Sequence, residues 1–133
     1  MKIVDSSVWI AYFNGDNHSQ TGLLSQLLEE EEPVLFPVIT LEVLAGFKND
    51  GEFNKVRHIF GQLDTLPLSH EIHLRAAVLY RVLRKKGVTV RGVTDCLIAQ
   101  GCIEYEASLL TLDRDFKTIA KHSRLKLAEI SAL

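Results

Sequence analysis

Cysteine is scarce in this chain. Only Cys96 and Cys102 occur among its 133 residues. They stand six apart in what reads as one helix, nearly two turns along its axis and too far for a disulfide. Two buried, reduced thiols are expected, and no Cys-x-x-Cys pair suggests zinc. Long apolar runs are missing as well. None approaches the roughly 20 residues needed to span a bilayer, so no membrane association is expected. The first apolar run stops at Asp5, so no signal peptide is expected and the protein is predicted to be cytoplasmic. Nor is there an excess of positive charge. The formal net charge is −2, so the molecule as a whole is not a polycation built for nucleic acid. Internal repeats, low-complexity segments and linkers are absent, which predicts a single domain over residues 1–133.

What is present is a globular composition, 47% hydrophobic and 24% charged. Short apolar runs alternate with helical stripes. Residues 2–5 read as a first strand, with Ser6 and Ser7 offering caps for a short helix through Trp9, Ile10 and Phe13. Leu23, Leu24, Leu27 and Leu28 mark a helix near 18–30, and Val34 to Phe36 a short strand. Helices are expected over 38–48, 52–63 and 70–86, the last stopped by Gly87. Residues 64–68 read as a brief strand or loop. Thr94 is positioned to cap a helix from Asp95 to about Tyr105. Leu109 to Leu112 reads as a strand, Asp115 to about His122 as a helix, and 125–130 contains a last strand. The alternation predicts an α/β domain with a short, mainly parallel central sheet, whose sites form at the carboxyl ends of the strands.

Four acids lie in apolar surroundings: Asp5, Glu42, Asp95 and Asp113. Each alone has an ordinary explanation: a helix cap at Asp95, a half-exposed helix position at Glu42, a turn and an N-cap at Asp113 and Asp115. Their coincidence weakens those explanations, because few basic residues stand near them in sequence to neutralise them. Carboxylates that converge without His or Cys suit a hard cation such as magnesium or manganese. Such an ion polarises a phosphate and activates water, so the natural chemistry is phosphodiester hydrolysis. A basic run, Arg81, Arg84, Lys85, Lys86 and Arg91, contains no acid between Arg81 and Arg91. It reads either as a solvated helix face or as a local basic rim beside an acidic metal site. The acidic run Glu29 to Glu32 reads as a solvated face.

Four segments, in this order and spacing, resemble the PIN-domain ribonucleases, and more narrowly the VapC-type toxins of toxin–antitoxin systems. They are Ile3-Val4-Asp5-Ser6-Ser7-Val8-Trp9, Glu42-Val43-Leu44-Ala45-Gly46, Thr94-Asp95-Cys96-Leu97-Ile98-Ala99 and Thr111-Leu112-Asp113-Arg114-Asp115-Phe116. The resemblance covers nearly the whole chain and implies a three-layer PIN-like fold. It implies Asp5, Glu42, Asp95 and Asp113 as the acidic site, with Asp115 reaching the metal through water or orienting another ligand. Ser7 matches a position that helps hold the first Asp. The resemblance also implies an RNA substrate of the transfer or ribosomal class, a cognate antitoxin that blocks the site, and a homodimer.

Rival signals are weaker. His70 and His73 have the i, i+3 spacing of a helix-borne metal pair but no evident third ligand. Trp9 and Phe13 are spaced as core residues more than as a base-stacking platform. An aspartyl-phosphate phosphatase or phosphoacceptor with Asp5 as nucleophile is a second enzyme reading, but Ser7 stands where the haloacid-dehalogenase-like phosphatases carry another Asp. A catalytically silent RNA- or protein-binding module is a third, and the presence of all four acids argues against it.

Overall fold

The computed structural model of the protein describes residues 1–130, so the last three residues of the expected 1–133 domain lie outside the described residues. Among the described residues, five short strands form one sheet: β1 (Lys2–Val4), β2 (Val34–Leu35), β3 (Asp64–Thr65), β4 (Ser108–Leu110) and β5 (Lys126–Leu127). Their order is β3-β2-β1-β4-β5, and every neighbouring pair is parallel. β1 is central, with Ile3 beside Val34 on one side and Val4 beside Leu110 on the other. Ile3, Val4, Leu35, Leu109 and Leu110 are almost wholly buried. Both faces of the central strands are therefore covered, which is why they read as continuous apolar runs and not as alternating ones.

Among the described residues, seven helices flank the sheet: α1 (Ser6–Phe13), α2 (Ser19–Glu29), α3 (Pro37–Ala45), α4 (Asp50–Gly61), α5 (His70–Lys85), α6 (Val93–Glu104) and α7 (Arg114–Lys121). They pack as two groups, α1 to α4 and α5 to α7. Trp9 joins the core of the first group, where its ring meets Phe60 edge-on at 4.8 Å and lies parallel to Phe13 at 5.9 Å. That buried position removes it as an exposed base-stacking platform. α6 buries Cys96, Ile98, Ala99, Gly101 and Cys102, so it is enclosed on most sides. Its close approach to the segments that follow β2 and β3 depends on Gly101: a Cβ there would stand 2.9 Å from the Phe36 ring and 2.7 Å from Leu68. Burial pushes the Cys96 thiol up to about 11 and the Cys102 thiol up to about 12. Both thiols are free and buried, and the raised pKa disfavours the reactive thiolate at neutral pH.

Several boundaries differ from the sequence-based expectation for local physical reasons. β4 ends at Leu110, not Leu112, because Thr111 turns its hydroxyl to Asp5 and leaves the ladder. α6 begins at Val93, with Gly92 and not Thr94 at its N-cap. α7 begins at Arg114, because the Asp113 carboxylate accepts the Asp115 N–H and caps the helix itself. Among the described residues, no helix is long and apolar enough to cross a membrane.

Candidate metal centre

Asp5 follows β1 directly, at the middle of the sheet's carboxyl edge. It is 4% exposed, and its Oδ2 accepts the Ser7 hydroxyl at 2.6 Å and the Thr111 hydroxyl at 3.0 Å. Each hydroxyl in turn accepts a backbone N–H from the segment after β4. Ser7 Oγ takes Leu112 N–H at 3.0 Å, and Thr111 Oγ1 takes Asp113 N–H at 3.0 Å. Two hydroxyls thus relay the Asp5 carboxylate to the backbone that carries Asp113. Thr111 acquires no role from sequence alone. Its only signal is a hydroxyl two residues before an acid, a common turn pattern. Burial pushes the Asp5 carboxyl above its usual range, against these hydrogen bonds, which favour the ionised form.

Asp95 enters from the first turn of α6, and Asp113 and Asp115 from the start of α7. One carboxylate oxygen from each of Asp95, Asp113 and Asp115 lies within 4.8 Å of the other two. Burial, followed by the charges of Asp113, Asp5, Asp115 and Glu42, pushes the Asp95 carboxyl up to about 7. The helix N-terminus favours the ionised form by only about 0.3–1 kcal/mol, so burial and like charge win. Glu42 approaches from α3 in the other helix group. Burial, then the charge of Asp5, raises its pKa, while a Ser6 hydroxyl hydrogen bond works against them. Its Oε1 is buried and has no hydrogen-bond partner among the described residues. An orphaned carboxylate oxygen close enough to feel the charges of Asp5 and Asp95 is costly in isolation. A hard divalent cation would supply the missing partner, so the residues present fit magnesium or manganese with oxygen ligands.

Of the basic run, Arg91 alone pairs with the acids: its Nη2 donates to Asp113 Oδ1 at 3.0 Å and its Nε to Asp115 Oδ2 at 3.1 Å. The acids are therefore less isolated from positive charge than their sequence neighbours imply. Arg81, Arg84, Lys85 and Lys86 remain exposed near the C-terminal end of α5, with the Arg84 guanidinium 5.6 Å from the centre of the Tyr80 ring. His70 and His73 lie exposed at the opposite end of α5. His73 Nδ1 stands 2.8 Å from the Ser69 carbonyl oxygen, and no carboxylate or thiol joins the pair in a metal-binding group among the described residues.

A parallel α/β sheet with carboxylates gathered at its carboxyl edge defines a class of domain suited to hard-cation chemistry. The sequence matches the PIN domain over residues 2–122, and the chain belongs to that family. It is 32% identical over 131 residues to the VapC ribonuclease Mb1587 of Mycobacterium bovis, covering 96% of this chain and 98% of that one. Its fold resembles VapBC2 from Rickettsia felis, solved bound to a DNA fragment from their promoter (TM-score 0.76, 20% identity, 96% of each chain covered). It also resembles a toxin–antitoxin complex from Klebsiella pneumoniae (TM-score 0.68, 18% identity, 87% and 90% covered). The aspartyl-phosphate reading has no support in these similarities.

Proposed function

We propose that this chain is a metal-dependent endoribonuclease that hydrolyses RNA phosphodiester bonds, and that it is the toxin of a toxin–antitoxin pair. The observation that carries this reading is the approach of the Asp95, Asp113 and Asp115 carboxylates within 4.8 Å beside the unpartnered Glu42 oxygen. The relative named as a VapC ribonuclease supports the activity. The likeness to VapBC2 and to the Klebsiella complex supports a cognate antitoxin as partner. The whole chain is read as one PIN-like unit that works in the cytoplasm as a homodimer, on RNA of the transfer or ribosomal class.

Asp5, Asp95 and Asp113 would hold the ion, together with Asp115, whose carboxylate oxygen lies within 4.8 Å of those of Asp95 and Asp113, and Glu42 would complete the acidic pocket. When bound, magnesium or manganese polarises the phosphate and brings water to the nucleophilic state near neutral pH. Ser7 is not a nucleophile in this reading. Its hydroxyl is committed to Asp5 and to the Leu112 N–H, and so fixes the direction of the Asp5 carboxylate. Thr111 does the same from the segment that follows β4. Preorganised ligands of this kind hold the charges still while the phosphate passes through its transition state. Arg81, Arg84, Lys85 and Lys86 offer phosphate contacts beyond the site.

The test is cleavage of a panel of purified structured RNAs by wild type, Asp5→Asn and Glu42→Gln, in magnesium, in manganese and in excess EDTA. Metal-dependent cleavage that both variants lose is the expected result. Equal cleavage by wild type and both variants would remove the acidic centre from the reaction.

A further inference from the structure

Arg91 lies in the loop between α5 and α6, which Gly87 opens with φ +76°. A left-handed residue there stops α5 and turns the chain towards the acids. The Arg91 side chain is 76% exposed. Its guanidinium nevertheless spans two carboxylates, with Nη2 on Asp113 Oδ1 and Nε on Asp115 Oδ2. Its backbone N–H also points at Asp115 Oδ2, at 3.3 Å. These two acids belong to the three-carboxylate group. Arg91 therefore places a tethered positive charge on two of the three carboxylates best placed to share an ion.

We infer that Arg91 is a built-in competitor of the metal. It neutralises Asp113 and Asp115 in the metal-free protein and must give them up, wholly or in part, when the ion binds. The inference rests on the proposed metal site. The geometry favours displacement over permanent pairing. Two exposed ion pairs are weak, because water solvates the freed guanidinium and screens both charges. A divalent ion coordinated by oxygens replaces them with more charge at shorter range. The remaining acids gain nothing from Arg91 directly: Asp5 is tied to hydroxyls and Glu42 Oε1 has no partner. An ion at the centre serves all of them together. The consequence is a site that is less repulsive when empty and weaker for metal than its acids alone would make it.

The inference is tested by titrating manganese into metal-free wild type, Arg91→Ala and Arg91→Gln and following the heat of binding. Thermal melts of each protein are run in chelator and in saturating manganese. Both variants should bind manganese about three- to tenfold more tightly than wild type, the range that two exposed ion pairs support. In chelator they should melt lower than wild type, and manganese should raise their melting temperatures by more. A merely structural role for Arg91 would weaken metal binding and stability together. Unchanged or weaker manganese affinity in both variants overturns the competition while leaving the metal site standing. Absence of manganese binding in all three proteins overturns the metal site, and the competition with it.

Discussion

Replacing Asp95 with Asn removes one carboxylate where its neighbours press hardest. In the metal-free native state the Asp95 carboxyl is pushed from 3.8 up to about 7. The native protein therefore holds this proton more tightly than the unfolded chain does. Where the native state binds more protons, stability falls as pH rises. The loss begins near the unfolded value and is complete once pH exceeds about 7. Full conversion of such a shift is about 4 kcal/mol. Asp95 is only partly buried, and solvent screening reduces the cost to about 1–2 kcal/mol. Asn imitates the neutral form at every pH. In chelator at pH 8, Asp95→Asn should therefore melt about 4–8 °C above wild type. The two curves should converge as pH falls towards 4. Saturating magnesium should raise wild type more than the variant, since a ligand bound only by the native state stabilises it by about 2.7 kcal/mol at a hundredfold excess over Kd. The assay is thermal melting by circular dichroism from pH 4 to 9, with and without metal. A variant that melts below wild type in chelator at pH 8, or that gains as much from magnesium as wild type does, would refute the reasoning.

Asp113→Asn and Asp115→Asn should both lower metal affinity, measured by titration, because both acids belong to the carboxylate group, and Asp113→Asn should abolish cleavage. Because Asp113 caps α7, its variant should also carry any capping loss, about 1 kcal/mol or less since Asn caps well, whereas Asp115→Asn should carry none. A capping loss confined to Asp115→Asn would reverse this assignment. Neutralising Arg81, Arg84, Lys85 and Lys86 should weaken RNA binding and flatten its salt dependence by roughly 0.7 of a unit per lost phosphate contact on a single strand. An unchanged slope in filter-binding titrations across salt would return that helix end to plain solvation. Gly101→Ala should destabilise the protein by about 1–3 kcal/mol in urea melts, because its methyl group would press on the Phe36 ring and Leu68. No loss would mean that α6 can move away from Phe36 and Leu68 without cost.

The sheet was legible because parallel strands buried on both faces leave unbroken apolar runs such as Ile3-Val4 and Leu109-Leu110. The helices were legible from their apolar stripes, and their ends less so. Thr94 and Asp115 look like caps in sequence, yet Gly92 and Asp113 stand at the N-caps, since a shift of one or two residues leaves the stripe unchanged. The acids stood out because apolar neighbours flank them. Their geometry did not, because Asp95 and Asp113 meet only through the packing of α6 against α7. The Arg91 pairing was hidden for a related reason. Arg91 is 22 residues from Asp113 and 24 from Asp115, with the whole of α6 between them. In the sequence it groups with Arg84, Lys85 and Lys86, and nothing in that grouping points to the acids that lie beyond α6.

The central claim is hydrolysis by water at a carboxylate-held metal, and the chemistry of the cut ends tests it most directly. A water nucleophile leaves the RNA 2′-hydroxyl out of the reaction. A side-chain base that activates that hydroxyl instead leaves a 2′,3′-cyclic phosphate. Purified protein should cut a structured RNA in magnesium or manganese and stop in excess EDTA. Mass spectrometry of the fragments should find no cyclic phosphate. Cyclic-phosphate ends, or undiminished cutting in EDTA by protein free of contaminating nuclease, would contradict the account.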